Sequence, residues 1–192
     1  MRTRLVRVSG FLLLLLFLAQ PASGFDASDI VPGTGTIEYA FTPGDDAAAL
    51  IVRAIDGARF QVLVQAFSFT HVEIAGALIR AIRRGLDVQV IADAGQIDLI
   101  GHNVIPQLVE AGVPVFIDME HSAAHNKVMV IDASAKTPAL ITGSFNFTHA
   151  AQFRNAENLL VLRENHELTR AYLDNWMRHL RHSTRLPGAT GK

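Results

Sequence analysis

Apolar positions along the chain recur at two different periods, and the changes of period divide it into helices and strands. After Asp45 and Asp46, apolar residues stand at Ala47, Leu50, Ile51, Ala54, Ile55 and Ala58. That three- and four-residue spacing predicts a helix with one buried face. Residues 60–67 then run as a short apolar segment, predicting a buried strand. Thr70 with Glu73 three residues on has the form of a capping box. The helix it would open carries Ile74, Leu78, Ile79 and Ile82 and stops at Gly85. Residues 87–92 alternate as a strand, 105–111 form a short helix and 113–117 another strand. Residues 37–41, 127–131, 139–142 and 158–162 add four more strands. A last helix from Asn165 to about Arg181 presents Leu168, Tyr172, Leu173, Trp176, Met177 and Leu180. Strands alternating with amphipathic helices predict an α/β single domain, a mixed β-sheet flanked by helices.

The N-terminus departs from this pattern. Arg2, Arg4 and Arg7 precede an apolar run over residues 11–19, and Ala22-Ser23-Gly24 supplies small residues before Phe25. This is the form of a secretory signal over residues 1–24, its apolar run well short of the ~20 residues that a spanning helix needs. A periplasmic or secreted location follows as the expectation, with no stable membrane association after cleavage. Residues 25–36, with Pro32, Gly33 and Gly35, read as an irregular arm, residues 37–184 as the folded domain and 185–192 as a flexible tail.

Composition narrows the classes. Of 192 residues, 49% are hydrophobic and 18% charged, which excludes a disordered or fibrous chain. Cysteine is absent, so disulfides, thiolate metal sites and cysteine nucleophiles are excluded together. Removing residues 1–24 takes three of 17 basic side chains and none of 18 acidic ones, shifting the formal charge from −1 to −4. A broad cationic footprint for nucleic acid is therefore not expected, and binding there would need a local basic groove.

The candidate chemistry gathers in the second half. His125 and Lys127 are two apart at the start of a strand, so their side chains share a face and an imidazole meets an ammonium. Asp132, five residues after Lys127, falls on the opposite face and reads as structural. Gly143-Ser144-Phe145-Asn146 follows the next strand, with Gly143 permitting close backbone approach and Ser144 and Asn146 offering neutral donors two apart. Such a set suits an oxyanion.

The order His125-x-Lys127-x4-Asp132, then Gly143-Ser144-x-Asn146, then Glu157-Asn158, resembles the signature of the phospholipase D superfamily, and within it the small single-motif bacterial endonucleases. The resemblance extends to Ala66-Phe67-Ser68-Phe69-Thr70, Arg84-Gly85-Leu86-Asp87-Val88 and Phe147-Thr148. It implies a phospholipase D-like catalytic domain over 37–184 and a phosphodiesterase needing neither cofactor nor metal. The implied reaction is hydrolysis of DNA, or of RNA, through a phosphohistidine. His125 would be the nucleophile, Lys127 and Asn146 would hold phosphate oxygens, and Ser144 would assist. Glu157 would orient the imidazole, while Asp132 and Gly143 would support the motif. A nucleophilic histidine needs one ring nitrogen free and gains from a carboxylate on the other. The leaving oxygen needs its own proton donor on the opposite side, and one motif supplies one histidine. The resemblance accordingly implies a homodimer with a shared site. His71, His102, His121, His149, His166, His179 and His182 are rival donors, none in a second H-x-K pattern.

Other readings compete. The same chemistry would serve a phospholipase D acting on lipid headgroups, and a noncatalytic nucleic-acid-binding module would need only the cations. His121 and His125, four apart with Glu120 beside them, could share a metal on a helix. Phe67, Phe69, Phe145 and Phe147 could stack on bases or belong to the core. Arg80, Arg83, Arg84, Arg170, Arg178, Arg181 and Arg185 could line a groove or cover solvated helix faces.

Overall fold

The computed structural model describes residues 28–95 and 104–188. The expected signal over 1–24, the first residues of the arm and His102 lie outside the described residues. Residues 1–30 and 31–192 form separate units, and every element below belongs to the second. In chain order these are β1 (Thr36–Thr42), α1 (Ala47–Asp56), β2 (Gln61–Ala66), α2 (Val72–Arg83), β3 (Asp87–Asp93), α3 (Ile105–Glu110), β4 (Val115–Asp118), β5 (Lys127–Ile131), β6 (Ala139–Gly143), α4 (His149–Phe153), β7 (Glu157–Arg163), α5 (His166–His182) and β8 (Thr184–Arg185). The strands make one mixed sheet in the order β1-β7-β6-β5-β2-β3-β4-β8. β2, β3 and β4 pair in parallel, and every other pairing is antiparallel.

Helices cover both faces, as the binary pattern requires. On one face α1, α2 and α3 bury Leu50, Ile51, Ile55, Ile74, Leu78 and Leu108 over Val62, Val64, Val88, Val90, Met129 and Ile141. On the other, α5 seats Trp176 over Leu63, Ile91, Val128, Val130 and Leu140, with Leu168, Tyr172, Leu173 and Leu180 partly buried around it. The Trp176 indole N–H donates to the Val64 carbonyl at 2.9 Å, so the largest apolar contact of α5 also satisfies its polar atom. Met177, expected on the same face, is 44% exposed, because one residue beyond Trp176 the helix has turned by about 100°. Among the described residues no helix is long and apolar enough to cross a membrane.

Two expectations need correction, and one helix lies where the pattern predicted none. The Thr70–Glu73 capping box does not form. The backbone N–H groups of Thr70 and His71 both donate to the Phe147 carbonyl, and α2 begins at Val72 after His71 with no side-chain cap bond. A tertiary contact has replaced the local cap. The expected tail from 185 begins as structure: Arg185 pairs with Phe116 in β4, and the Leu186 N–H donates to the Val115 carbonyl. The short helix α4, which apolar periodicity does not show over five residues, starts after Thr148, whose hydroxyl accepts from the Ala151 N–H at 3.1 Å.

Asp132 follows β5 at a backbone φ of 51°, a left-handed conformation that Asp adopts more readily than most residues. Its buried carboxylate accepts the N–H groups of Arg59, Phe60 and Gln61, each at 2.8 Å, tying the end of β5 to the start of β2. Five residues of strand put it about 17 Å from Lys127. Distance along the strand, more than the opposite-face parity, separates it from His125. Asp132→Ala, which strands three backbone donors, is expected to destabilise the fold by about 2–4 kcal/mol in urea unfolding. The backbone positions of His125 and Lys127, read by their amide NMR shifts, should change little; wild-type stability would overturn the assignment.

Candidate active site

Four strand ends meet at one end of the sheet. Ala66, the last residue of β2, pairs with Lys127, the first of β5. Met129 pairs with Ile141, which brings Gly143 at the end of β6 level with Lys127. Gly143 pairs with Leu159, two residues into β7 from Glu157. The register alone therefore gathers His125, Lys127, Ser144, Asn146 and Glu157 from a sequence span of 33 residues.

The loop that presents His125 is held at several points. The Ala124 N–H donates to the Asp93 carboxylate at 2.7 Å, and the Phe67 N–H donates to the Asn126 carbonyl at 2.9 Å. Asp93 had no place in the sequence reading. It ends β3, far from His125 in the chain, and no local pattern marks it. With the loop pinned, the His125 imidazole is exposed while Lys127 is buried. Lys127 Nζ lies 2.8 Å from His125 Nδ1 and 3.2 Å from Nε2, and donates to the His125 carbonyl at 2.7 Å. It also sits 4.8 Å from the centre of the Phe67 ring, whose own centre is 4.2 Å from the imidazole. The ring face attracts the cation. Burial pushes the Lys127 ammonium below the ordinary lysine range, and the Glu157 carboxylate opposes that shift.

Gly143 has a φ of 151° and stands against the Asn158 carbonyl, where a Cβ would collide with backbone. The close approach lets the Ser144 and Phe145 N–H groups donate to that carbonyl at 3.1 and 3.2 Å. The Ser144 hydroxyl donates to Glu157 Oε2 at 2.6 Å and accepts from the Asn158 backbone and side-chain N–H groups. Half-buried Asn146 keeps its Oδ1 buried with no partner among the described residues. An unpartnered buried carbonyl oxygen costs about 1–3 kcal/mol, a cost that only a hydrogen-bond donor can remove, while the amide N–H groups stay available to an oxyanion.

Glu157 is placed differently from its expected role. Its oxygens accept from Ser144 and from Asn155 Nδ2 at 3.0 Å, and not from His125. β6 lies between β7 and β5, so Glu157 and His125 come from strands that are not neighbours. The carboxylate still acts on Lys127 through its field. The His121–His125 metal pair is also corrected. Residues 119–126 are not helical, so the two rings do not share a face. His121 turns to Asp118 and His125 to Lys127. Of the four phenylalanines, Phe69, Phe145 and Phe147 are buried core, with Phe69 and Phe147 edge to face at 5.6 Å. Phe67 alone of them remains beside the site. Arg80 and Arg84 pair with Asp56, and Arg170 with Asp174, so these three meet carboxylates on the helix surfaces.

What the arrangement can do follows from its parts: a buried ammonium against an open imidazole, with a hydroxyl and an amide at the same end of the sheet, is the donor set for a phosphoryl group next to a nucleophile. A family model described as cardiolipin synthase, PLD-like domain, matches residues 51–180. A phospholipase D of Rickettsia felis is 37% identical over 141 residues, 73% of this chain and 68% of that protein. The human mitochondrial cardiolipin hydrolase is 31% identical over 135 residues, 70% of this chain and 51% of that one. Among solved structures, a phospholipase D family member, Nuc from Salmonella typhimurium, superposes with a TM-score of 0.73 at 28% identity, over 80% of this chain and 99% of that one. NucT from Helicobacter pylori shares the fold at a TM-score of 0.70 and 23% identity, over 79% and 99%.

The Lys127 environment can be measured directly. In side-chain NMR titrations its ammonium is expected to lose its proton below the ordinary lysine range. Glu157→Gln removes the charge that holds the proton on, so the midpoint should fall further. A midpoint that stays put or rises in Glu157→Gln would contradict the geometry.

Proposed function

The chain belongs to the phospholipase D superfamily of phosphodiesterases, and we propose that it is an endonuclease, hydrolysing DNA or RNA as a homodimer through a phosphohistidine on His125. The observation that carries this reading is the open imidazole of His125 against the buried ammonium of Lys127. In the first step a His125 ring nitrogen attacks phosphorus, forming a P–N bond as the P–O bond to the leaving sugar oxygen breaks. The leaving oxygen takes a proton from a second His125. In the second step water attacks phosphorus, the P–N bond breaks, and the second histidine takes the water's proton, which restores both residues. Lys127 and Asn146 hold the nonbridging oxygens, and Ser144 adds a hydroxyl to the same pocket. Glu157 keeps Ser144 in place and supports the charge of Lys127. No metal is needed in this centre, because the ammonium and amide carry the developing negative charge.

Two features support a second copy of the chain at the site. One chain supplies one histidine of the pair. An apolar strip of Ile37, Tyr39 and Phe41, each more than half exposed, lies in register with Leu162, Leu160 and Asn158 of β7. That strip ends at Asn158, which bonds Ser144, so a copy packed there would reach the site's edge. The similarity to Nuc over nearly all of that protein favours nucleic acid, while the names of the Rickettsia and mitochondrial relatives favour a phospholipid. The phosphoryl chemistry is common to both. The basic and then apolar N-terminal pattern supports a periplasmic or secreted location.

Plasmid, single-stranded DNA, RNA and cardiolipin or phosphatidylcholine vesicles, each incubated with the protein in EDTA, separate these readings. Cleavage of nucleic acid is expected. Lipid hydrolysis alone would replace the nuclease reading, and no turnover of any substrate would overturn the catalytic one. His125→Ala should abolish cleavage, and Lys127→Ala should cost on the order of 10²- to 10³-fold.

The shared site is tested by mixing. Wild-type and His125→Ala chains exchanged at equal amounts should retain about a quarter of wild-type activity, since homodimers of wild type alone would turn over. Retention of about half would mean independent sites.

A further inference from the structure

Asp118 ends β4, His121 lies three residues on, and His179 and His182 stand three apart on one face of α5 near its C-terminus. One donor atom from each lies within 4.8 Å of the others. None of the four belongs to the proposed catalytic set. Their positions in the chain span 65 residues, and the sequence pattern, which offered a metal only to His121 with His125, has no local feature that joins these four.

The geometry points to a zinc site, and we propose that Asp118, His121 Nδ1, His179 Nδ1 and His182 Nε2 bind one zinc ion. The Asp118 carboxylate is fully buried, and the three imidazole nitrogens approach it at 3.2, 3.0 and 3.2 Å. In a tetrahedron with bonds of about 2.0–2.1 Å the ligand atoms are roughly 3.3 Å apart, close to those separations. The imidazole centres form a nearly equilateral triangle, with separations of 5.0, 5.2 and 5.2 Å. Three imidazoles bound to one tetrahedral zinc have centres roughly 5.2 Å apart, by the same bond length and the size of the ring. The rings are thus spaced as zinc would space them, and the nitrogens need only close inward.

A further carboxylate supports the arrangement. With Nε2 of His182 turned to the centre, its Nδ1 lies 3.5 Å from Glu120 Oε2. A carboxylate behind a ligating histidine fixes its tautomer and orientation. Three imidazoles around one carboxylate make little sense as ion pairs, since a single negative charge faces three bases. Three neutral imidazoles and one anion give the donor set that suits zinc, and four protein ligands close the coordination sphere, as in a structural site.

The ion would join β4, the loop leading to His125 and the end of α5. His121 precedes His125 by four residues, so zinc would fix the entry of the loop that Asp93 pins at Ala124. This role is structural and leaves the phosphoryl chemistry to His125 and Lys127.

Metal content tests the proposal without reference to activity. The purified protein, stripped with EDTA and dialysed against zinc, is expected to hold one zinc per chain by mass spectrometry and to melt at a higher temperature. Cobalt(II) in its place should give the intense visible absorption of a tetrahedral site. His179→Ala and His182→Ala should weaken zinc binding at least 100-fold, and Glu120→Gln about 10-fold, whereas His125→Ala should keep one zinc per chain. If the α5 variants fail to fold, His121→Ala, on the loop and 44% exposed, carries the same expectation. Failure of the wild type to take up zinc at micromolar concentration, or wild-type affinity in folded His121→Ala, would overturn the site.

Discussion

Antiparallel insertion of β5 between β2 and β6 is the constraint on which the site depends. β5 starts where β2 and β6 end, so Lys127 lies level with Ala66 and Gly143, and β7 starts at the same end of the sheet. A shift of one residue in any of these registers would turn Lys127 or Glu157 to the other face. The clamp at the far end guards against that slip. Asp132 takes three backbone N–H groups from the entry to β2, fixing β5 against β2 at the end remote from the chemistry. Gly143 does the corresponding work near the site, where only a residue without Cβ lets β6 and the Asn158 carbonyl come so close.

Holding an ammonium inside the sheet edge opposes stability. Burial lowers the affinity of Lys127 for its proton, and the fold offsets this with a carbonyl, an aromatic face and the field of Glu157. The unpartnered oxygen of Asn146 is a second local cost. Both stand at the end of the sheet that carries the exposed imidazole of His125.

The loop between β4 and β5 ties this end of the sheet together. Asp93 and Asp118 end adjacent parallel strands, and both turn their buried carboxylates onto that loop: Asp93 receives the Ala124 N–H, and Asp118 receives the Glu120 N–H and the His121 ring. Parallel strands bring their C-terminal ends to one edge, so side chains and backbone donors from distant segments converge there. His125 therefore rests on a loop held from beneath by the sheet and from the side by α5.

Much of this was legible in the chain. The helical faces of α1 and α2, the alternation of the strands and the spacing His125-x-Lys127 depend on local periodicity, and local periodicity is carried by sequence. The motif from His125 to Glu157 likewise identified the residues that β5, β6 and β7 bring to one edge. Tertiary structure decided what depends on partners distant in the chain. Thr70 lost its cap to the Phe147 carbonyl, Glu157 bonds Ser144 and Asn155, and Phe69, Phe145 and Phe147 went to the core while Phe67 stayed half-buried beside the site. The grouping of Asp118 and His121 with His179 and His182 was invisible for the same reason. Two three-residue spacings far apart carry no sign that they will meet; only the packing of α5 against the sheet, around Trp176, makes them neighbours.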